Sequence, residues 1–210
     1  MAMRRKILMA AVALAAWIAE DLYVPRHHDL RSFDPERVAV LETGMWRSYY
    51  EHRALALFTE LTQLLRQEYG MPFWRSALAG FHAAKAAEVF QRGHNRAEYE
   101  HALPDLVAYY DLVLRTSAST FDVEAVSRLE LEWWIVHRER DRHPPGALEA
   151  SLAALQSAIY HVPAERFRDH AQARAEAMAA RDTKADAPDW TRIDGLLARS
   201  WSALHAEVNR

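Results

Sequence analysis

Leu129-Glu130-Leu131-Glu132-Trp133-Trp134-Ile135-Val136-His137-Arg138 is the stretch that decides the fold. At helical spacing, Glu130 and His137 stand seven residues apart and point the same way, with Trp133 and Trp134 between them. Val126 shares that direction and Leu129 lies close to it, so both ionisable groups sit on the apolar side of a helix. Ionisable groups on a buried face pair with one another or do chemistry, because burying one alone is costly. The chain reads as a helical bundle with charges in its interior.

The rest of the chain agrees with that fold class. Apolar residues nowhere sustain a two-residue alternation, and only six glycines are present, so the reading is all-α. At 210 residues the chain can fill one core but not two large ones. Half of the residues are hydrophobic and 26% are charged, an ordinary globular composition. A net charge of -3 and a pI near 6.4 give no basic footprint for nucleic acid. The absence of cysteine excludes disulfides, thiolate zinc sites and cysteine-held iron–sulfur clusters.

Arg4, Arg5 and Lys6 precede an uncharged run from Ile7 to Ala19, which Glu20 and Asp21 close. A basic start and a short apolar run match a secretory signal or signal anchor, and Ala13-Leu14-Ala15 offers a cleavage motif. The run is shorter than the roughly twenty residues of a transmembrane helix. It reaches Val24 only by placing Glu20 and Asp21 near the outer headgroups. As an anchor, it puts the following domain outside the cytoplasm, periplasmic in a bacterial cell.

The expected organisation is a single-domain bundle of about six or seven helices preceded by an N-terminal apolar helix. Residues 1–24 are the signal peptide or membrane-anchor helix, 25–33 a polar connector, and 34–210 the bundle. Asp34-Pro35 opens a helix expected to run to Tyr69, where Gly70 stops it. Its apolar face drifts from Val38, Leu41, Met45 and Tyr49 to Leu57, Phe58, Leu61, Leu64 and Leu65, so it bends or changes partner. The next helix, about Pro72 to Gln91, has one face with Trp74, Leu78 and Phe81, and another with Ala79, Ala83, Ala86 and Ala87. Later helices begin near Pro104, Asp122, Leu148, Pro163 and, after a linker from Thr183 to Asp189, Trp190.

Three chemistries fit the interior charges. In the first, Arg53, Lys85, Arg174, Arg181 and the carboxylates form a buried salt-bridge network that is mainly structural. In the second, Arg53, Lys85 and Arg174 hold a small anionic or amphipathic ligand against walls of Trp46, Trp74, Phe81, Trp133 and Trp134. In the third, Glu42, Glu88, Glu130 and His137 bind iron or manganese in an oxidoreductase, since carboxylates from several helices plus an imidazole build such centres. Against the third, Glu130 and His137 are about 10.5 Å apart along a helix, too far for two ligands of one ion. The paired Glu-x-x-His motifs of such centres are also missing. The expectation is therefore an exported or membrane-tethered bundle that binds a protein partner or small molecule. It carries no cofactor, and its membrane contact is the N-terminal segment.

Overall fold

The computed structural model describes residues 2–183 and 188–210. Helix starts follow the sequence closely. Asp34 accepts hydrogen bonds from the backbone N–H of Glu36 and Arg37 at 3.1 Å and opens α2 (Pro35–Tyr50). Asp122 caps α7 (Val123–Arg138) through the Ala125 N–H, and Asp189 caps α10 (Trp190–Val208) through that of Arg192. The remaining elements are α1 (Ala2–Tyr23), α3 (Ala54–Tyr69), α4 (Phe73–Arg92), a single turn α5 (Arg96–Tyr99), α6 (Leu103–Leu114), α8 (Ala147–Tyr160) and α9 (Arg168–Arg181). No strand occurs among the described residues, and the fold is an all-α bundle. Of the expected linker, residues 184–187 lie outside the described residues.

The helix count exceeds the six or seven expected, with nine helices besides the single turn among the described residues. The helix expected from Asp34 to Tyr69 is two. The break falls at Glu51-His52-Arg53, where no glycine or proline announces it, and His52 adopts a positive φ of 56°. The drift of the apolar face is its cause: α2 and α3 fold back on one another, each burying its own stripe. Gly44 lets them approach, since a Cβ there would meet the Glu60 carboxylate at 3.3 Å. Gly70, at φ 65°, ends α3 as expected.

Packing order explains the interior. α2 packs on α3, α3 on α4, α4 on α6, α6 on α7, α7 on α8, α8 on α9 and α9 on α10, which returns to α2. Eight helices thus close a ring. Helices packed about 8–10 Å apart in such a ring cannot all meet on one axis, so side chains must fill the middle or leave a hole.

Burial is selective on α4 and in the segment before α2. On α4 the small residues form the packing face, with Ser76, Ala79, Gly80 and Ala86 buried, while Leu78 and Phe81 are exposed. Small residues win because α3 and α6 must both come close to α4. The segment 25–33 is not simply a polar connector, for Leu30 and Phe33 enter the main core. Phe33 meets Trp201 edge to face at 5.7 Å.

Asp21 is buried rather than placed at headgroups. Its carboxylate accepts the Trp74 N–H at 3.0 Å, at the start of α4. Beside it, fully buried Arg75 donates to the carbonyls of Asp21, Val24 and Arg115 and to the Thr116 hydroxyl. Four acceptors compensate this guanidinium for its lost hydration, and they tie the foot of α1 to the ends of α4 and α6. Above that foot α1 is mostly exposed, with Leu8 65% and Met9 72% accessible. Among the described residues no helix is long and apolar enough to cross a membrane.

His170 of α9 is fully buried against α10, with Nδ1 2.9 Å from the Ser200 hydroxyl. Burial, helped by the Arg174 charge, pushes its pKa down to about 3. Below pH 6.5 the unfolded chain takes up a proton that the folded one refuses, so stability falls as pH drops towards 3. Replacing His170 by leucine removes that loss. The stability advantage of wild type over this variant is expected to shrink by about 1.4 kcal/mol per pH unit below 6.5, read from urea unfolding.

Candidate functional site

The ring of helices encloses a cavity of about 450 Å³, and each of the eight helices contributes to its wall. Its size falls in the range of small-molecule pockets. Helix α2 supplies Glu42 and Trp46, α3 supplies Glu68 and Tyr69, and α4 supplies Ala83 and Ala87. Tyr109 and Tyr110 come from α6, Glu130, Trp133 and Trp134 from α7, Arg174 from α9 and Trp201 from α10. The alanine face of α4 leaves the space that a larger side chain would fill.

Glu42 and Arg174 form the centre of the polar wall. The guanidinium grips the carboxylate with two hydrogen bonds, at 2.9 and 2.5 Å, and Trp201 Nε1 adds a third at 2.6 Å. Arg174 also lies 5.7 Å from the Trp201 ring centre and 6.0 Å from that of Trp46. Burial works against its charge, and Glu42 more than offsets that, so its pKa rises. Both carboxylate oxygens thus carry at least one donor.

Glu130 accepts from the Tyr110 hydroxyl at 2.8 Å and from Trp134 Nε1, four residues on, at 2.9 Å. Burial pushes its pKa up against these donors. Glu68 differs from both. It is 9% exposed, lines the cavity, and makes no ion pair among the described residues. Burial pushes its pKa up to about 8, and the Glu42 and Glu130 charges act in the same direction. Glu68 is therefore mostly protonated at neutral pH.

The exposed members of the lining mark the mouth. Tyr50, Glu88, Gln91 and Asp182 lie at the ends of α2, α4 and α9, beside the end of α7. There the Arg181 guanidinium stacks 3.3 Å from the Tyr50 ring centre. Asp182 pairs with Arg140 and lies 3.3 Å from His137 Nε2. Burial alone would raise the Asp182 pKa, but its bonds from His137 and Arg140 hold it below the usual carboxylate range.

Of the residues singled out by sequence, Trp46, Trp133, Trp134 and Arg174 line this cavity, as do Glu42, Glu88, Glu130 and His137. The four acid and imidazole groups do not converge. Glu42 is bound by Arg174, Glu88 by Arg92 at 2.5 Å outside, Glu130 by Tyr110 and Trp134, and His137 sits at the rim with Asp182. No three of His, Asp or Glu come together to hold an ion among the described residues. Two turns of helix separate the deep Glu130 from the rim His137, so the iron or manganese site does not fit this donor arrangement.

Arg53 and Lys85 stand elsewhere. Arg53 precedes α3 and pairs with Glu51 at 3.0 Å. Lys85 faces outward from α4, where it and His82 flank Asp105 at 3.0 and 2.9 Å. Trp74 and Phe81 also lie off the cavity wall, Trp74 against Trp17 of α1 at 5.6 Å. Sequence reasoning missed Glu68, Tyr69, Tyr109, Tyr110 and Trp201. A signal existed for Glu68, which continues the Leu57, Leu61, Leu64 stripe at helical spacing. No known protein family, curated protein or solved structure matches the chain.

Proposed function

We propose that this protein is a non-enzymatic bundle that holds a small amphipathic molecule in its central cavity and sits at a lipid surface through α1. The observation that carries the reading is a cavity of about 450 Å³ walled by eight helices, aromatic on several sides and polar at chosen points. Packing usually removes such space, since interiors are dense and each void forfeits contacts. A ligand with an apolar body and one polar group would restore those contacts.

Titration with 4-phenylbutanol, followed by tryptophan fluorescence, tests the cavity. Saturable binding is expected, with a stability gain of about 2.7 kcal/mol at a hundredfold excess over Kd. Ala87→Trp, which fills the space, is expected to abolish binding. No saturable signal in wild type, or an unaltered one in the filled variant, overturns the assignment.

The lipid contact rests on α1, whose basic start at Arg4, Arg5 and Lys6 leads into exposed Ile7, Leu8, Met9 and Val12. Exposed Phe73 and Phe81 of α4 extend this apolar surface near its foot, and Trp17 stacks on Phe73 at 6.1 Å. A helix apolar on all sides has no stable place in water. Cosedimentation with vesicles of phosphatidylcholine and phosphatidylglycerol is expected for the full chain. Changing Ile7, Leu8, Met9 and Val12 together to glutamine should leave it in the supernatant.

A further inference from the structure

We propose that the ligand of this cavity is an organic cation, a protonated amine on an aromatic or branched apolar body, with its ammonium against Glu68 and its body against Trp46, Trp133 and Trp134. This rests on the cavity being a binding site, as argued above.

The charges of the wall give the sign of the ligand. Deep in the cavity three carboxyl groups, those of Glu42, Glu68 and Glu130, face the guanidinium of Arg174, while that of Arg181 lies at the rim. The charge of the Arg174 guanidinium is already offset by Glu42 through two hydrogen bonds. Arg181 lies over the Tyr50 ring, while Arg53 and Lys85 pair with acids outside the cavity. A carboxylate or phosphate seated at Glu68 would lie among the Glu42 and Glu130 carboxyl groups, with the one deep guanidinium, that of Arg174, already paired.

The unmatched group is Glu68. It is nine-tenths buried, belongs to the wall, and has no cationic partner among the described residues. The groups that act on it are Glu42 of α2, Tyr69 beside it on α3, Tyr109 and Tyr110 of α6, Glu130 of α7, Tyr160 of α8 and Arg174 of α9. The tyrosines are neutral, with burial holding each phenol above its ordinary range. An ammonium placed there supplies the missing charge. The indole faces of Trp46, Trp133 and Trp134 attract a cation as well as an apolar body.

Binding has a proton balance. At pH 7 Glu68 carries its proton, and an arriving ammonium favours the carboxylate, so the O–H proton leaves to solvent as the ion pair forms. The test titrates the full chain with 4-phenylbutylamine, 4-phenylbutanol and 4-phenylbutyrate, which share one body. Calorimetry in phosphate and in Tris at pH 7 counts protons. The amine is expected to bind about tenfold or more tighter than the alcohol and to release about one proton, with the acid weakest. Glu68→Gln, checked for fold by circular dichroism, should abolish that release and bring the amine down to the affinity of the alcohol.

Alcohol or acid binding as tightly as the amine would overturn the cation assignment and leave the cavity as a binding site. Tight amine binding without proton release would remove Glu68 as its seat. Binding by none of the three would overturn both this inference and the cavity reading.

Discussion

Glu68→Gln is expected to stabilise the protein by roughly 3–5 kcal/mol at pH 8.5 and to change little at pH 4. The folded protein holds this carboxyl in its protonated form up to about pH 8, against 4.5 for the ordinary group. Between those values the folded state binds a proton that the unfolded chain has released. Stability therefore falls as pH rises from 4.5 to 8, at about 1.4 kcal/mol per pH unit, and levels off above. Glutamine keeps the shape and hydrogen-bonding capacity and never ionises. Urea unfolding of both proteins across pH 4–9 measures the effect. A difference that stays constant with pH would show that Glu68 ionises as readily folded as unfolded. Since His170 acts with the opposite sign below pH 6.5, the two slopes oppose each other between 4.5 and 6.5. A site that stores such instability is consistent with a role beyond folding, because ligand can return what the empty cavity gives up.

The second large effect belongs to Arg174. Arg174→Met is expected to cost about 3–5 kcal/mol, because it leaves the Glu42 carboxylate buried without its cation, held by the Trp201 indole N–H. The Glu42→Gln/Arg174→Met double variant should recover more than half of that loss. An amide still accepts from Trp201 Nε1, and methionine fills the space between Trp46 and Trp201 without a charge. Equal losses in single and double variants, measured by denaturant unfolding, would mean that packing rather than charge compensation dominates at this position. The cycle thus separates the worth of the pair from the cost of orphaning one partner.

The positions of the helices were legible where local chemistry decides them. Asp34-Pro35, Asp122, Gly70 and Asp189 each mark a boundary through a hydrogen bond or a backbone angle that involves only near neighbours. The break at His52 was not legible as a break. Its only trace was a drift of the apolar face, which a bend or a change of partner would produce equally well. On α4 spacing alone offered two faces, and close approach of α3 and α6 selected the small one.

The site divides in the same way. Trp46, Trp133, Trp134, Glu130 and Arg174 reach the cavity because they lie on the apolar sides of their own helices, a property of spacing alone. Whether an ionisable residue there finds a partner is a matter between helices. Glu42 meets Arg174 across 132 positions of sequence and Trp201 across 159, and no local pattern encodes either meeting. Lys85 is drawn out to Asp105 of α6 for the same reason, while Arg53 pairs with Glu51 in the turn where the expected long helix breaks.

By itself the sequence determined an all-α chain, most helix ends, and the presence of charges among its apolar stripes, because each of these follows from spacing and capping within a few residues. Only the tertiary structure decided that eight helices close a ring, that its middle stays open, and that Glu68 faces that space without an ion pair among the described residues. Those features depend on which helices meet and how closely, and such distances are set by packing between residues far apart in the chain.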